Sequence, residues 1–143
     1  MAITKDFVLA GDAVFTIDAP DKHRTYKVRL KPAKGNYPAT YFVSTLAGPE
    51  NTKDYVYVGI LDPKTGQVRT TDKSKTWTNT LRLRLLNRVL AKVWAGDHAA
   101  YEAHGYKTHH MGRCGRCGHD LTTPQSIERG IGPECWKHLG MAT

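Results

Sequence analysis

Three cysteines and two histidines near the end of the sequence have the residue types and spacing of metal ligands. Cys114 and Cys117 form a C-x2-C pair, and a glycine follows each of them. Cys135 and His138 form a C-x2-H pair further along, and His110 precedes the first cysteine by four residues. A structural zinc ion takes four tetrahedral ligands, most often thiolates and imidazoles. The pattern therefore predicts a structural Zn2+ site in which all three cysteines are ligands.

Spacing alone leaves the fourth ligand open between His110 and His138. Side chains three residues apart share one face of a helix, so a short helix would place His138 beside Cys135. His110 would need the chain to bend back toward Cys114, which Gly112 between them permits. Both histidines are therefore candidates for the fourth position.

Two other interpretations of the cysteines fit less well. A redox C-x2-C motif is expected as one pair beside a βαβ unit, and this chain has a third cysteine and no such pattern. A disulfide framework needs an even number of cysteines in a secreted protein. The first ten residues have too short an apolar run to be expected as a signal peptide, and the sequence has no apolar run of about eighteen residues. We therefore predict a cytoplasmic protein without a membrane span, whose reduced thiols are available to a metal.

The segment around the cysteines resembles a known family. The run GRCGRCGHDLTTPQSIERGIGPEC is similar to a small zinc-binding domain of unknown function found in many bacteriophage and actinobacterial proteins. The stretches AGDAVFTI and FVSTLAGPENTKDYVYVG also look like the N-terminal half of such phage proteins. The family often has a histidine where His110 stands, so the resemblance favours His110 as the fourth ligand. It implies a phage setting and no particular reaction.

The elements that must position this site begin with a β-rich first half. Alternating polar and apolar residues separated by Pro, Gly, Asn and Asp predict strands and tight turns. The first strand is interrupted by a bulge or turn at Gly11-Asp12. Connections this short favour a curled antiparallel meander. The predicted strands cover residues 7–17, 25–30, 40–46, 55–61 and 67–70.

One long helix is predicted over residues 77–95, ended by Gly96. Its apolar side chains fall on one wide arc and would pack on the sheet. The arc contains Leu83, Leu85, Leu86, Val89, Leu90, Val93 and Trp94. The predicted fold is therefore α+β: a curled antiparallel sheet with one packing helix in residues 1–106, followed by a treble-clef or ribbon-like zinc module in residues 107–143.

The charge balance points to an acidic partner. The chain of 143 residues has 21 Lys and Arg against 13 Asp and Glu, a net charge of +8. Such a balance favours nucleic acid. One set of candidate contacts is the three arginines close to the cysteines. The other set is a row of basic residues that recurs every four positions along the predicted helix, although such a row is also typical of an ordinary solvated face. The first set consists of Arg113, Arg116 and Arg129, and the helix row consists of Arg84, Arg88 and Lys92.

The sequence contains no fingerprint of a catalytic site. It lacks the nucleophile elbow, the phosphate loop, the dinucleotide motif and the zinc deaminase signature. We therefore predict a non-catalytic accessory protein that binds nucleic acid or a nucleic-acid-processing complex, acting in the cytoplasm of an infected bacterial host if it is phage-encoded. The alternative is an inhibitor that binds a host protein of defence, transcription or replication. Edge strands, Tyr55 and Tyr57 would then form the docking patch.

Overall fold

A curled sheet of six antiparallel strands forms the body of the protein. The computed structural model describes residues 2–48, 54–77 and 80–140. In these ranges the strand order is β5-β4-β3-β2-β1-β6, a meander to which the last strand is added beside the first. The strands are β1 (Asp12–Ala19), β2 (Lys22–Lys31), β3 (Thr40–Leu46), β4 (Tyr55–Leu61), β5 (Val68–Arg69) and β6 (Lys107–His110). The predicted curled antiparallel sheet is confirmed.

The two faces of the sheet differ in composition because side chains alternate along each strand. In β1, Phe15 and Ile17 are fully buried, and Phe15 is paired with Tyr26 of β2. Residues such as Val14 and Lys27 point the other way and are only partly buried. We call this second side the open face of the sheet. The core therefore lies on one side of the sheet only.

The prediction that residues 7–10 continue a strand is wrong. Lys5–Val8 form a short helix, α1, that buries Phe7 and Val8. The hydroxyl of Thr4 accepts a hydrogen bond from the Phe7 N–H at 3.1 Å and caps the helix. A strand would send adjacent side chains to opposite faces, whereas a helical turn sends both Phe7 and Val8 into the core. The chain then turns at Gly11, with φ of 131°, and enters β1.

The longest helix in the described ranges, α2, covers Leu81–Trp94 and packs on the core side of the sheet. It begins four residues later than predicted, because the Thr80 hydroxyl accepts from the Leu83 N–H and caps it there. Residues 78 and 79, which the prediction included, lie outside the described residues. The predicted apolar arc is confirmed, with five members buried and Leu85 and Trp94 partly buried. The five buried members of the arc are Leu83, Leu86, Val89, Leu90 and Val93.

Gly96 ends α2 as predicted. Its φ is 70°, and its N–H donates to the Val93 carbonyl at 3.1 Å while the Asp97 N–H donates to the Lys92 carbonyl at 2.9 Å. This pair of bonds satisfies carbonyls that the helix leaves unpaired. A short helix, α3 (His98–Glu102), then leads to β6. Within the described ranges, no helix is long and apolar enough to cross a membrane.

Candidate metal centre

The cysteine segment is joined to the sheet by hydrogen bonds. Strand β6, the start of the predicted zinc module, pairs with β1 and places His110 opposite Phe15. Beyond it, the Asp12 N–H donates to the Gly115 carbonyl at 2.6 Å, and the Gly115 N–H donates to the Gly130 carbonyl at 2.8 Å. Two short helices, α4 (Pro124–Arg129) and α5 (Pro133–His138), complete the segment. The C-x2-C turn is therefore fixed against the first strand of the sheet.

The three cysteines come together as predicted. The sulfurs of Cys114, Cys117 and Cys135 lie within 4.8 Å of one another, and this cluster could hold a metal ion. Cys114 is 2% exposed and Cys135 is 6% exposed, whereas Cys117 is exposed. None of the three forms a disulfide. In the described part of the chain this is the one group of three or more Cys, His, Asp or Glu side chains with metal-ligand geometry.

Local backbone bonds shape the C-x2-C turn. The Cys114 N–H donates to the His119 carbonyl at 2.8 Å, and the Gly118 N–H donates to the Cys114 carbonyl at 2.9 Å. Gly118 has φ of 80°, a conformation that side chains other than glycine rarely adopt. On the other side of the site, Pro133 opens α5, so that Cys135 lies in its first turns. The turn thus supplies the thiols of Cys114 and Cys117, and the helix supplies the thiol of Cys135 to the same point.

Backbone donors favour the ionised form of Cys114. Burial opposes ionisation, but N–H groups including those of Gly132 and Arg116 outweigh burial and lower the pKa of the Cys114 thiol. These two N–H groups lie 3.3 and 3.4 Å from its sulfur. Metal ligation requires the thiolate. The surroundings of Cys114 are therefore suited to a metal ligand.

Cys135 has one charged donor of its own. The Arg116 Nη1 donates to the Cys135 sulfur at 3.3 Å. Burial nevertheless raises the pKa of the Cys135 thiol, with the neighbouring Cys117 and Cys114 thiols acting in the same direction. Three thiolates crowded together repel one another, so a dication between them would favour their joint ionisation. This donor set fits a soft or borderline metal such as zinc.

Neither candidate histidine belongs to the cluster of ligand atoms. Nε2 of His110 is hydrogen-bonded to the Ile127 carbonyl, and its Nδ1 accepts from the Gly112 N–H at 3.0 Å. A neutral imidazole has one donor and one acceptor, and here both are engaged. The His110 ring also packs 5.6 Å from the Phe7 ring. His138 lies exposed in the last turn of α5, three residues after Cys135.

Each of the three arginines of the metal segment has a partner within the chain. Arg113 lies 3.7 Å from Asp120 in an exposed ion pair. The Arg129 guanidinium lies 4.2 Å from the centre of the Trp136 ring, within cation–π range. Arg116 donates to the cysteine sulfur described above. The structure therefore shows an intramolecular contact for each of these three arginines, and their contact with nucleic acid stays a prediction.

The helix row Arg84, Arg88 and Lys92 lies exposed on α2. Two of its members face the β1–β2 hairpin across a groove of about 330 Å³. Sequence reasoning missed Lys22 and Arg24, which line the same groove, because no local pattern connects a hairpin to a helix some sixty residues later. We call this feature the cationic groove. Its charged lining residues are Lys22, Arg24, Arg84 and Arg88, with Asp21 as the acid.

Comparison with known proteins finds one match. Residues 108–140 match a family of unknown function, DUF6011. The DUF6011 segment contains all three clustered cysteines and both short helices α4 and α5. No curated protein and no solved structure matches the chain. The bacteriophage or actinobacterial setting remains a prediction.

Replacing Gly130 with alanine tests how closely the DUF6011 segment fits the body of the protein. Gly130 has φ of 74°, and an added Cβ would lie 2.4 Å from Cδ1 of Phe7. We expect a loss of roughly 2–4 kcal/mol in the free energy of unfolding, from a left-handed backbone and an overpacked core. Gly96→Ala is the control, because Gly96 has φ of 70° and open space around it. Equal midpoints in chemical denaturation for the two variants would contradict the close fit.

Proposed function

We propose that this is a small, non-catalytic, zinc-stabilised protein that binds nucleic acid through the cationic groove. The zinc part of the proposal is supported by the cluster of three thiols and by the N–H groups that face two of their sulfurs. A C-x2-C turn followed by a short helix bearing the third cysteine is the arrangement expected of a treble-clef-like module. The metal would fix the turn and the helix to each other and to the sheet.

His138 is proposed as the fourth zinc ligand. It is exposed, and it follows Cys135 by three residues on the same helix, so both side chains lie on one face. His110 would instead have to give up two hydrogen bonds and its packing against Phe7. These contacts of His110 support the proposal of His138 as the fourth ligand.

The observation that carries the nucleic-acid proposal is the charge of the cationic groove. Lys22 and Arg24 of the hairpin face Arg84 and Arg88 of the helix, and Asp21 is the one acid among the residues that line the groove. A groove in which one sign of charge predominates concentrates counter-ions of the other sign. Phosphates spaced along a strand are the polyanion that such a line of guanidinium and ammonium groups neutralises.

Substitution of Arg84 and Arg88 by alanine tests this proposal. Each phosphate contact releases counter-ions, so the logarithm of the affinity falls with the logarithm of salt by about 0.9 per contact for duplex DNA and about 0.7 for single strands. The double variant is expected to bind arbitrary DNA or RNA more weakly at low salt. Its salt slope should be shallower by about 1.4 to 1.8. Fluorescence anisotropy with labelled oligonucleotides at four or more salt concentrations measures both quantities.

The matched control removes two positive charges elsewhere. Lys64 and Arg69 are exposed and lie outside the cationic groove. If Lys64→Ala/Arg69→Ala weakens binding as much as the helix double variant, attraction depends on net charge alone and the groove is not the binding site. If the unaltered protein shows no salt-dependent binding of DNA or RNA, the nucleic-acid proposal fails. A protein-directed inhibitor would then be the function to test.

A further inference from the structure

The hairpin that joins β2 to β3 extends beyond the end of the sheet. Residues 31–39, which we call the arm, have the sequence KPAKGNYPA, and all nine of them are exposed. Lys31 and Thr40 are the last pair of the β2–β3 ladder, and Lys34 and Tyr37 form a further antiparallel pair three residues along each side. The arm is therefore a narrow two-stranded projection into solvent.

The tip of the arm is held by its own backbone. The Lys34 N–H donates to the Tyr37 carbonyl, and the Tyr37 N–H donates to the Lys34 carbonyl, each at 3.0 Å. Gly35 has φ of 59°, which suits the two-residue turn between them. These bonds fix the backbone of Tyr37, so less conformational freedom is lost when its side chain binds a partner.

Tyr37 presents its ring to solvent. It is 80% exposed, the highest value among the exposed large hydrophobic residues of the described ranges. Side chains directly opposite each other in an antiparallel pair lie on the same side of the two strands, so the ammonium group of Lys34 accompanies the ring. An exposed aromatic ring beside a cation is the combination with which proteins hold a base and its phosphate.

The base of the arm repeats this combination. A cavity of about 330 Å³ lies there, lined by Arg29, Leu30, Lys31, Pro32 and Phe42. Arg29 and Phe42 are direct partners across β2 and β3, and Arg29 and Lys31 are both exposed on one side of β2, roughly 6.6 Å apart along the strand. The ion pairs found among the described residues include neither of these two cations. Both are therefore available to an anionic partner.

The charge of this region has one sign. Strands β2 to β5 and the arm contain no Asp or Glu, and their charged side chains are all Lys or Arg. A surface of this kind attracts a polyanion. The partner that complements both the cations and the exposed ring is a chain of phosphates that carries flat bases.

A protein partner suits the arm less well. A standard protein interface buries about 800 Å² on each partner and has an apolar centre from which charged residues are depleted. The arm offers one highly exposed ring, Tyr37, between lysines and prolines. A base stacked on a ring needs only the area of that ring, so the composition of the arm favours nucleic acid.

We infer that the arm binds single-stranded nucleic acid, with an unpaired base stacked on Tyr37 and backbone phosphates neutralised by Lys34, Lys31 and Arg29. Bases within a duplex already stack on their neighbours on both faces, so an unpaired base is the one that can offer a face to the ring. The inference rests on nucleic-acid binding as the proposed function, but not on the cationic groove. The groove residues of β2 lie near its first residue, Lys22, and the arm follows from its last residue, Lys31.

Fluorescence anisotropy with labelled oligothymidylate, oligouridylate and a DNA duplex tests the inference. Tyr37→Ala should weaken binding of the single strands by roughly 5- to 150-fold, the range that alanine substitution gives for one stacked base, and should leave duplex binding little changed. Tyr37→Phe keeps the ring and should retain the affinity. The unfolding midpoint of Tyr37→Ala should not change, because the ring is 80% exposed. The tighter of the two single strands identifies DNA or RNA as the ligand.

Salt dependence tests the cations of the arm. Lys31→Ala/Lys34→Ala should make the salt slope of single-strand binding shallower by about 1.4, since each lost phosphate contact removes about 0.7. Lys64→Ala/Lys73→Ala is the matched control, because both lysines are exposed and lie outside the arm. An equal change of slope in the control would show that net charge acts alone and would overturn the role of the arm.

The same titrations separate the arm from the cationic groove. Single-strand binding that is lost in Tyr37→Ala and retained in Arg84→Ala/Arg88→Ala supports the arm and removes the groove as the site. Binding that is lost in the helix double variant and unchanged in Tyr37→Ala overturns the arm and leaves the groove standing. Equal weakening of duplex and single strand in Tyr37→Ala would overturn stacking on an unpaired base. If the unaltered protein binds none of the three nucleic acids, both proposals fail.

Discussion

Replacing Cys114 with alanine is expected to abolish zinc binding and to unfold the DUF6011 segment. Cys114 is 2% exposed, and its sulfur accepts hydrogen bonds from two backbone N–H groups of the segment. The buried apolar cluster of the segment consists of Ile131, Cys114 and Cys135, with Ala10 from the body of the protein and three partly buried side chains packed against it. Because this core is small, the metal would supply much of the stability of the segment. We expect the free energy of unfolding to fall by about 4 kcal/mol or more, as large losses follow the removal of a structural metal.

Metal content and hydrogen exchange measure this result together. The unaltered protein should contain one zinc per chain, and Cys114→Ala should contain none. Amide protection should be lost across residues 112–140 and retained in the centre of the sheet. A chelator added to the unaltered protein should reproduce the same pattern. Cys114→Ala with full zinc content, or with unchanged protection of the segment, would contradict a structural metal held by these thiols.

Three further substitutions rank the groups around the metal. His138→Ala should lower zinc affinity more than the roughly 10–100-fold that loss of an outer-shell partner costs. Arg116→Ala should fall within that range, because its guanidinium contacts the Cys135 sulfur at 3.3 Å. His110→Ala should lower stability while leaving zinc affinity nearly unchanged. If His110→Ala lowers zinc affinity more than His138→Ala, the ligand assigned by the family resemblance is the correct one.

The parts of the fold that could be predicted from sequence are those determined by local pattern. Alternation of polar and apolar residues located β2, β3 and β4, because each strand has one buried and one open face. The apolar arc and Gly96 located α2 and its end for the same local reason. The gathering of Cys114, Cys117 and Cys135 was also predictable, since their spacing is set by a turn and one helix.

The parts that could not be predicted depend on contacts between residues far apart in sequence. The strand propensity of Phe7 and Val8 was overridden by the Thr4 cap and by the core they fill from α1. The hydrogen bond between His110 and the Ile127 carbonyl and the packing of its ring against Phe7 also join residues that are far apart in sequence. The cationic groove likewise combines side chains from separate elements.

Replacing Phe7 with alanine is expected to destabilise both halves of the protein at once. Its ring is 1% exposed and lies 6.5 Å from the Phe15 ring of the sheet and 5.6 Å from the His110 ring. The same ring carbons lie so close to Gly115 and Gly130 that an added Cβ would be 2.8 and 2.4 Å away. Phe7 thus fills the space between the sheet and the metal segment. Its loss should cost about 3–5 kcal/mol in the free energy of unfolding, as for other buried Phe→Ala changes.

The distinguishing result is a linked loss of zinc affinity. A cavity beneath Gly115 and Gly130 would loosen the backbone bond between them, and with it the position of the Cys114 sulfur. Phe7→Ala should therefore lower both the free energy of unfolding, measured by chemical denaturation, and the zinc affinity, measured by competition. Phe7→Leu refills most of the volume and should largely restore both quantities. Phe42→Ala serves as the control, because Phe42 is only partly buried and lies on the open face beside Tyr57. A destabilised Phe7→Ala protein with unchanged zinc affinity would show that the metal segment holds its geometry independently of the sheet.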